Sequence, residues 1–218
     1  MLGKFITFEG PEGSGKTTHI RRLTECLMER GIKVVCTREP GGTPLGENIR
    51  HLLQHGDAEA EPVPQAETLL FFASRAQHVE RLIRPALERG EWVLCDRFSD
   101  STLAYQGYGR GFDLEQLRST NAFATGGLVP DLTLLLDVTP ETSRTRLLAR
   151  QAATATSPDR IEREAEAFHA RLRDGFLAMA AAEPERFVTV STDRPQDEVA
   201  AAIREAVMTR LPKDSDEH

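Results

Sequence analysis

The stretch that most restricts what this chain can fold into is Gly10-Pro11-Glu12-Gly13-Ser14-Gly15-Lys16-Thr17. It fits the order Gly, four residues, Gly, Lys, then Ser or Thr. Glycines let the backbone curl until successive N–H groups point inward as a nest for phosphate oxygens. A helix that follows adds the positive end of its dipole. Lys16 can reach the β- and γ-phosphates, the Thr17 hydroxyl can ligate Mg²⁺, and Thr18 continues the phosphate-binding run. The context is the one the motif needs. Phe5-Ile6-Thr7-Phe8-Glu9 reads as a buried strand, and a helical pattern runs from Lys16 to about Arg30. The chain is expected to bind a nucleoside triphosphate.

At 218 residues without an internal repeat, the chain reads as one α/β domain over residues 1–211 with a disordered tail at 212–218. A formal net charge of −7 argues against indiscriminate nucleic-acid binding. Cys26, Cys36 and Cys95 lie in or beside apolar segments without metal-ligand spacing, which predicts reduced, buried thiols in a cytoplasmic protein. The first strand begins so near Met1 that no signal peptide is expected. No apolar run approaches the roughly 20 residues that span a bilayer, so no membrane partner is expected.

Five strands alternate with helices. Lys33-Val34-Val35-Cys36-Thr37 reads as the second strand, and Arg38-Glu39-Pro40-Gly41-Gly42-Thr43 as a loop that Pro and Gly keep from becoming helix. A helix is predicted from Leu45 to Gln54, with Leu45, Ile49, Leu52 and Leu53 on one face. A longer one is predicted from Gln65 to Arg89, with a core stripe of Leu69, Phe72, Ala76, Val79 and Ile83 and a kink at Pro85. Trp92-Val93-Leu94-Cys95-Asp96 is a buried strand, and 97–111 is polar and partly helical. Asp113 and Gln116 have capping-box spacing for a helix to about Thr125. Leu132 to Asp137 is the next strand, followed by a helix from Pro140 to about Arg150. Gln151 to Pro158 lacks hydrophobic periodicity, and Asp159 with Glu162 should cap a helix to about Ala182. Phe187 to Ser191 is the fifth strand and Gln196 to Leu211 the last helix. This alternation predicts a parallel sheet flanked by helices.

Ligands in such sheets bind beyond the carboxyl ends of the strands, so the phosphate loop, Arg38, Asp96-Arg97 and Asp137 should face one cleft. Asp96 closes a buried strand and is placed to hold Mg²⁺, directly or through water, opposite Thr17. Arg97 supplies a planar fork suited to phosphate, and Arg50 could be the second half of that clamp. Glu9 and Glu12 flank the loop. Beside phosphate an uncompensated carboxylate is costly unless it holds a cation or an acceptor hydroxyl. His51 and His78 read as solvent-facing helix residues.

Six blocks carry a resemblance to bacterial thymidylate kinases. They are Phe5 to Thr18, Thr37 to Thr43, Leu70-Phe71-Phe72-Ala73-Ser74-Arg75, Asp96 to Gly107, Pro130 to Thr133, and Asp159-Arg160-Ile161-Glu162. The match runs in the family's order from about Phe5 to Phe176, and the block from Asp96 to Gly107 is specific to this family among phosphate-loop kinases. The resemblance implies a phosphate-loop, nucleoside monophosphate kinase-like fold with a five-stranded core. It also implies a homodimer, and Mg²⁺-dependent transfer of the ATP γ-phosphoryl group to dTMP, giving dTDP for dTTP synthesis.

Carried over by position, Phe71 would stack on thymine, Arg75 would donate to its O4 edge, and Gln106 and Thr102 would approach N3. Arg97 and Arg50 would hold the dTMP phosphate, and Tyr105 would crowd the sugar 2′ position. Glu9, Arg38, Pro40 and Ser101 complete the implied acceptor set, with Glu9 also a possible metal ligand. The catalytic group would be Lys16, Asp96, Arg97, Arg150 and Arg160, the last two belonging to a mobile lid at about 150–160. Ser74 stands where many members carry Asp or Ala, which would leave Arg75 without a carboxylate partner.

Three other readings compete. A phosphate-loop kinase could use another small acceptor. A GTP switch would need an Asn-Lys-x-Asp or Thr-Lys-x-Asp element, and neither occurs. A nucleic-acid ATPase module would be expected to carry a basic surface.

Overall fold

A computed structural model describes residues 2–55, 61–154 and 166–211. Its centre is a five-stranded parallel sheet in the order β2-β3-β1-β4-β5, formed by β1 (Phe5–Glu9), β2 (Val34–Arg38), β3 (Trp92–Asp96), β4 (Leu132–Asp137) and β5 (Phe187–Ser191). The register aligns Phe8 with Asp96 and Glu9 with Leu135, so the strand ends that bear the chemistry lie side by side.

Alternation along the strands sends side chains to opposite faces. Ile6, Phe8, Leu94, Leu132, Leu134 and Leu136 pack beneath α1 (Lys16–Glu29) and α9 (Gln196–Arg210), against Leu23, Leu27, Ile203 and Val207. On the other face Phe5, Val93 and Cys95 meet Val79, Ile83 and Phe98, while Leu135 and Phe187 meet Leu172, Phe176 and Met179 of α8 (Glu166–Ala182). Each such side chain contributes roughly 1.5–3 kcal/mol of burial. Strand β1, covered on both faces, is buried throughout. Strand β2 is an edge and is not.

That edge corrects the thiol expectation. Cys36 on β2 is exposed and Cys26 on α1 is half-buried; only Cys95 on β3 is buried. The long helix predicted from Gln65 to Arg89 is also divided. Helix α3 (Pro64–His78) passes into a π-helical segment, Val79–Ile83, before α4 (Arg84–Glu88). Pro85 has no N–H to donate to the preceding turn, and the wider π turn absorbs the break just ahead of it. Of its predicted stripe, Phe72, Val79 and Ile83 are buried, but Leu69 is 61% exposed. Leu45 and Leu52 of α2 (Pro44–His55) are exposed as well.

The segment after β3 forms α5 (Ser99–Thr102) and a second π-helical run, Leu103–Gly109. Gly107 and Gly109 are needed there. A Cβ at Gly107 would fall 2.3 Å from the Leu114 side chain, and one at Gly109 would fall 2.6 Å from the Phe168 ring. Helix α6 (Leu114–Thr125) is capped as its sequence predicts, with the Asp113 carboxylate accepting from the Gln116 amide at 2.7 Å. Helix α7 (Pro140–Thr154) continues four residues past Arg150, so Gln151 lies on a helix rather than in a lid loop. Asp159, Arg160, Glu162 and the 212–218 tail lie outside the described residues.

Candidate active site

The phosphate loop joins β1 to α1. Gly10 sits at φ 134°, where a Cβ would meet the Leu136 carbonyl oxygen at 2.3 Å, and Gly15 sits at φ 87° as the N-cap of α1. Lys16 folds back over this loop. Its Nζ donates to the carbonyls of Gly10 at 3.0 Å and Pro11 at 2.9 Å, and to Ser14 Oγ at 3.3 Å. Burial, followed by the nearby Arg97, pulls the Lys16 pKa down to about 8. The Thr17 hydroxyl donates to Asp96 Oδ2 at 3.0 Å, which brings a hydroxyl and a carboxylate together at the mouth of the nest. Hard oxygen donors of this kind suit Mg²⁺, which keeps several waters and substrate oxygens rather than a full protein cage. Among the described residues, no cluster of three or more His, Cys, Asp or Glu could hold a metal by itself.

Glu12 is the hinge between the two ends of the site. Arg97 Nη2 donates to its Oε1 at 2.6 Å, and the Tyr105 hydroxyl reaches the same carboxylate at 2.7 and 2.8 Å. Burial opposes its ionisation, but Arg97, Lys16 and the Tyr105 hydroxyl outweigh that and hold its pKa below the usual value. Arg97 itself stands at φ 69°, in the left-handed region that residues other than glycine seldom adopt. Its Nη1 donates to the Gly10 carbonyl and Ser101 Oγ, both at 3.1 Å, and its guanidinium lies 5.1 Å from the Tyr105 ring centre. Tyr105 is thus both a core residue, packed near Phe168 and Phe176, and a cleft residue.

One cleft of about 600 Å³ joins these parts. Its walls include Glu12 to Thr18, Arg38, Pro40, Arg50, Phe71, Arg75, Asp96, Arg97, Ser101, Thr102, Tyr105, Gln106 and Arg150. Arg50 Nη1 also donates to the Pro40 carbonyl at 3.1 Å. Phe72 turns into the core while Phe71 faces the cleft, as their adjacency on a helix requires. At the far end Gln106 Nε2 donates to Glu67 Oε1 at 3.1 Å, while Gln106 Oε1 is buried with no hydrogen-bond partner among the described residues.

Four expectations need correction. Glu9 does not line the cleft. It is fully buried, accepting from the Phe98 and Ser101 amides at 2.8 and 3.2 Å and from Ser101 Oγ at 2.6 Å. Asp137 does not reach the cleft either, because Arg173 binds it through two bonds of 2.7 and 2.8 Å. His78 is fully buried rather than solvent-facing, and Arg75 has a carboxylate partner after all, Glu39 at 2.8 Å.

Sequence reasoning also missed Arg146 and Arg194, which line the cleft. Arg146 donates to the Gly13 carbonyl at 3.2 Å and the Thr192 carbonyl at 2.7 Å. Its signal was present: it stands four residues before Arg150, on the same face of one helix.

A thymidylate kinase family model matches residues 8–203. The chain is 53% identical to a thymidylate kinase of a Synechococcus species, over 95% of this chain and 96% of that protein. It is 52% identical to the thymidylate kinase of Deinococcus radiodurans, over 95% and 98%. Among solved structures, it resembles a crystal structure of thymidylate kinase from Ehrlichia chaffeensis. That likeness has a TM-score of 0.76 and 33% identity, covering 95% of this chain and all of the other.

Proposed function

The chain belongs to the thymidylate kinase family of nucleoside monophosphate phosphotransferases, its activity is that of a thymidylate kinase with ATP as donor, and we propose which residues carry each step. The ATP phosphates sit in the nest from Gly10 to Thr18, with Lys16 moving from the loop carbonyls onto the β- and γ-oxygens. Thr17 and Asp96 would hold Mg²⁺, directly or through water, and the ion would supply positive charge beside the transferring group. Arg97 and Arg50 clamp the acceptor phosphate, and Arg146 and Arg150 approach the donor from α7. Arg160, outside the described residues, is assigned to the same catalytic group.

The observation that carries the acceptor assignment is Gln106. A carboxylate only accepts, so Gln106 turns its amide toward Glu67 and leaves its carbonyl as the group offered to a ligand. Thymine N3–H donates and fits it; cytosine N3 does not. Phe71 then stacks on the base, and Arg75 with Thr102 meets the O4 side. Tyr105 closes on the sugar.

Two broader properties complete the proposal. The protein works in the cytoplasm as a single kinase domain over 1–211; no helix among the described residues is long and apolar enough to cross a membrane. It acts as a homodimer, because α2, α3 and α6 pack side by side while leaving Leu52, Leu69 and Phe123 exposed. Light scattering during gel filtration should return twice the chain mass. For the activity, the protein is incubated with ATP, Mg²⁺ and each nucleoside monophosphate in turn, and ADP and the diphosphate product are measured. dTMP should dominate, and an equal rate with dCMP would refute the reading of the base end.

A further inference from the structure

Arg75 is a long, flexible cation that is only 2% exposed at the base end of the cleft. Four of its five N–H groups are committed. Nε donates to Glu39 at 2.8 Å, Nη1 to Asn121 Oδ1 at 2.9 Å, and Nη2 to the Phe98 carbonyl at 3.0 Å and Thr102 Oγ1 at 2.9 Å. The guanidinium also lies 5.7 and 5.2 Å from the ring centres of Phe72 and Phe98. One Nη1–H has no partner among the described residues and is left to meet a ligand, so the setting of the whole fork decides where that hydrogen points.

The only charged partner in this set is Glu39, itself buried. Its second oxygen, Oε1, lies 3.1 Å from His78 Nδ1. Because the carboxylate accepts, Nδ1 carries the proton. His78 Nε2 lies 2.7 Å from the Thr37 hydroxyl oxygen, within hydrogen-bond distance. A chain of bonds therefore runs from Thr37 on β2 through His78 and Glu39 to Arg75. The loop closes tightly over it: a Cβ at Gly42 would fall 2.6 Å from both His78 Nε2 and Thr37 Oγ1.

We propose that Glu39, braced by His78, is a positioning residue that fixes the orientation in which Arg75 meets the acceptor base. Glu39 lines the same cleft and His78 does not, and the role of both is exerted through Arg75. The chain compensates the Arg75 charge on one side and leaves a single donor for the base on the other. This rests on the reading of Arg75 as a base-facing residue. It predicts that base selectivity depends on a histidine no ligand contacts.

The test is steady-state kinetics with dTMP and dCMP. Glu39→Gln removes the charge, and KM for dTMP should rise roughly 10–100-fold while KM for ATP moves far less. The dTMP-to-dCMP preference should fall in parallel. His78 allows a sharper comparison. His78→Asn keeps a donor near the Nδ1 position, whereas His78→Gln keeps only a group near Nε2. The Asn variant should retain most of the preference and the Gln variant should lose it, although both lose packing. If both histidine variants and Glu39→Gln lower the melting temperature but leave the preference and the dTMP KM unchanged, the chain is only a strut and the proposal is overturned. Arg75→Met separates the two levels. If it too leaves the preference intact, the base-facing reading fails. If it alone abolishes the preference, that reading stands and the positioning role is lost.

Discussion

Lys16 and Arg75 are two cations buried in one cleft, and they are held by opposite means. The partners of Lys16 are two carbonyls and a hydroxyl of its own loop, within six residues in sequence. The partners of Arg75 stand 23 to 46 positions away, on three separate segments, and include a carboxylate. Among the described residues Lys16 therefore has only neutral direct partners, and burial draws its pKa down to about 8. Arg75 has its countercharge built in. In the proposed assignment, one end of the cleft waits for its ligand to supply the compensating charge, and the other is organised in advance to read one.

The strongest way to break this comparison is Lys16→Ala. Removing a cation that acts where charge develops should lower turnover on the order of 10²–10³-fold. dTMP affinity, set at the other end, should barely move. Steady-state turnover and a dTMP titration check both, and turnover within tenfold of the parent would take Lys16 out of the reaction.

Next in size is base choice. A mispaired buried polar edge costs on the order of 1–3 kcal/mol per group, and cytosine mispairs at both Gln106 and Arg75, so dTMP should be favoured about a hundredfold. Gln106→Met removes one of the two and should cut that preference to about tenfold. The competition assay that reads this should also show ATP affinity unaltered. Equal loss at both substrates would mean that the two ends are not separable.

A smaller effect is expected at Tyr105, which bridges the ends through Glu12. Tyr105→Ala should narrow the preference for dUMP over UMP by a few-fold, because the ring proposed to crowd the sugar is gone. An unchanged ratio would return Tyr105 to a purely packing role against Phe168 and Phe176.

The same contrast explains what could be read from the sequence. The phosphate loop is contiguous, and its context of strand and helix is local, so its geometry was legible residue by residue. All five strands and the Asp113 cap were legible for the same reason. The acceptor end is tertiary. The buried face of α3 carries Glu67, Ser74, Arg75 and His78, which hydrophobic periodicity scores as solvent. The same periodicity put Leu69 in the core, since an apolar residue looks alike in sequence whether the fold covers it or leaves it exposed. Nothing local to Arg75 names Glu39, which lies 36 residues earlier and is brought in by the fold of the Arg38 to Thr43 loop. Asp137 was misplaced because a strand-end carboxylate looks like a ligand until a distant arginine is found on it.

The smallest effect tests what lies beneath both ends. Glu9 joins the phosphate loop to α5, where it receives the Phe98 and Ser101 amides. Burial first, then the nearby Asp100 carboxylate, pushes its pKa up from the usual 4.5 to about 7. Between those two values the folded protein keeps a proton that the unfolded chain has released. Its contribution therefore lowers stability as pH rises from 4.5 through about 7, and is flat outside that window. Glu9→Gln cannot ionise and keeps an acceptor for the two amides, so its stability should lack this slope. Urea midpoints for parent and variant should draw closest near pH 4.5, and the variant should gain steadily on the parent up to about pH 7. Midpoints that run parallel across the window would show that Arg97 and the α5 donors keep Glu9 ionised in the fold. The carboxylate would then support both ends by charge, and the contrast between a ligand-dependent end and a compensated one would not extend below the cleft floor.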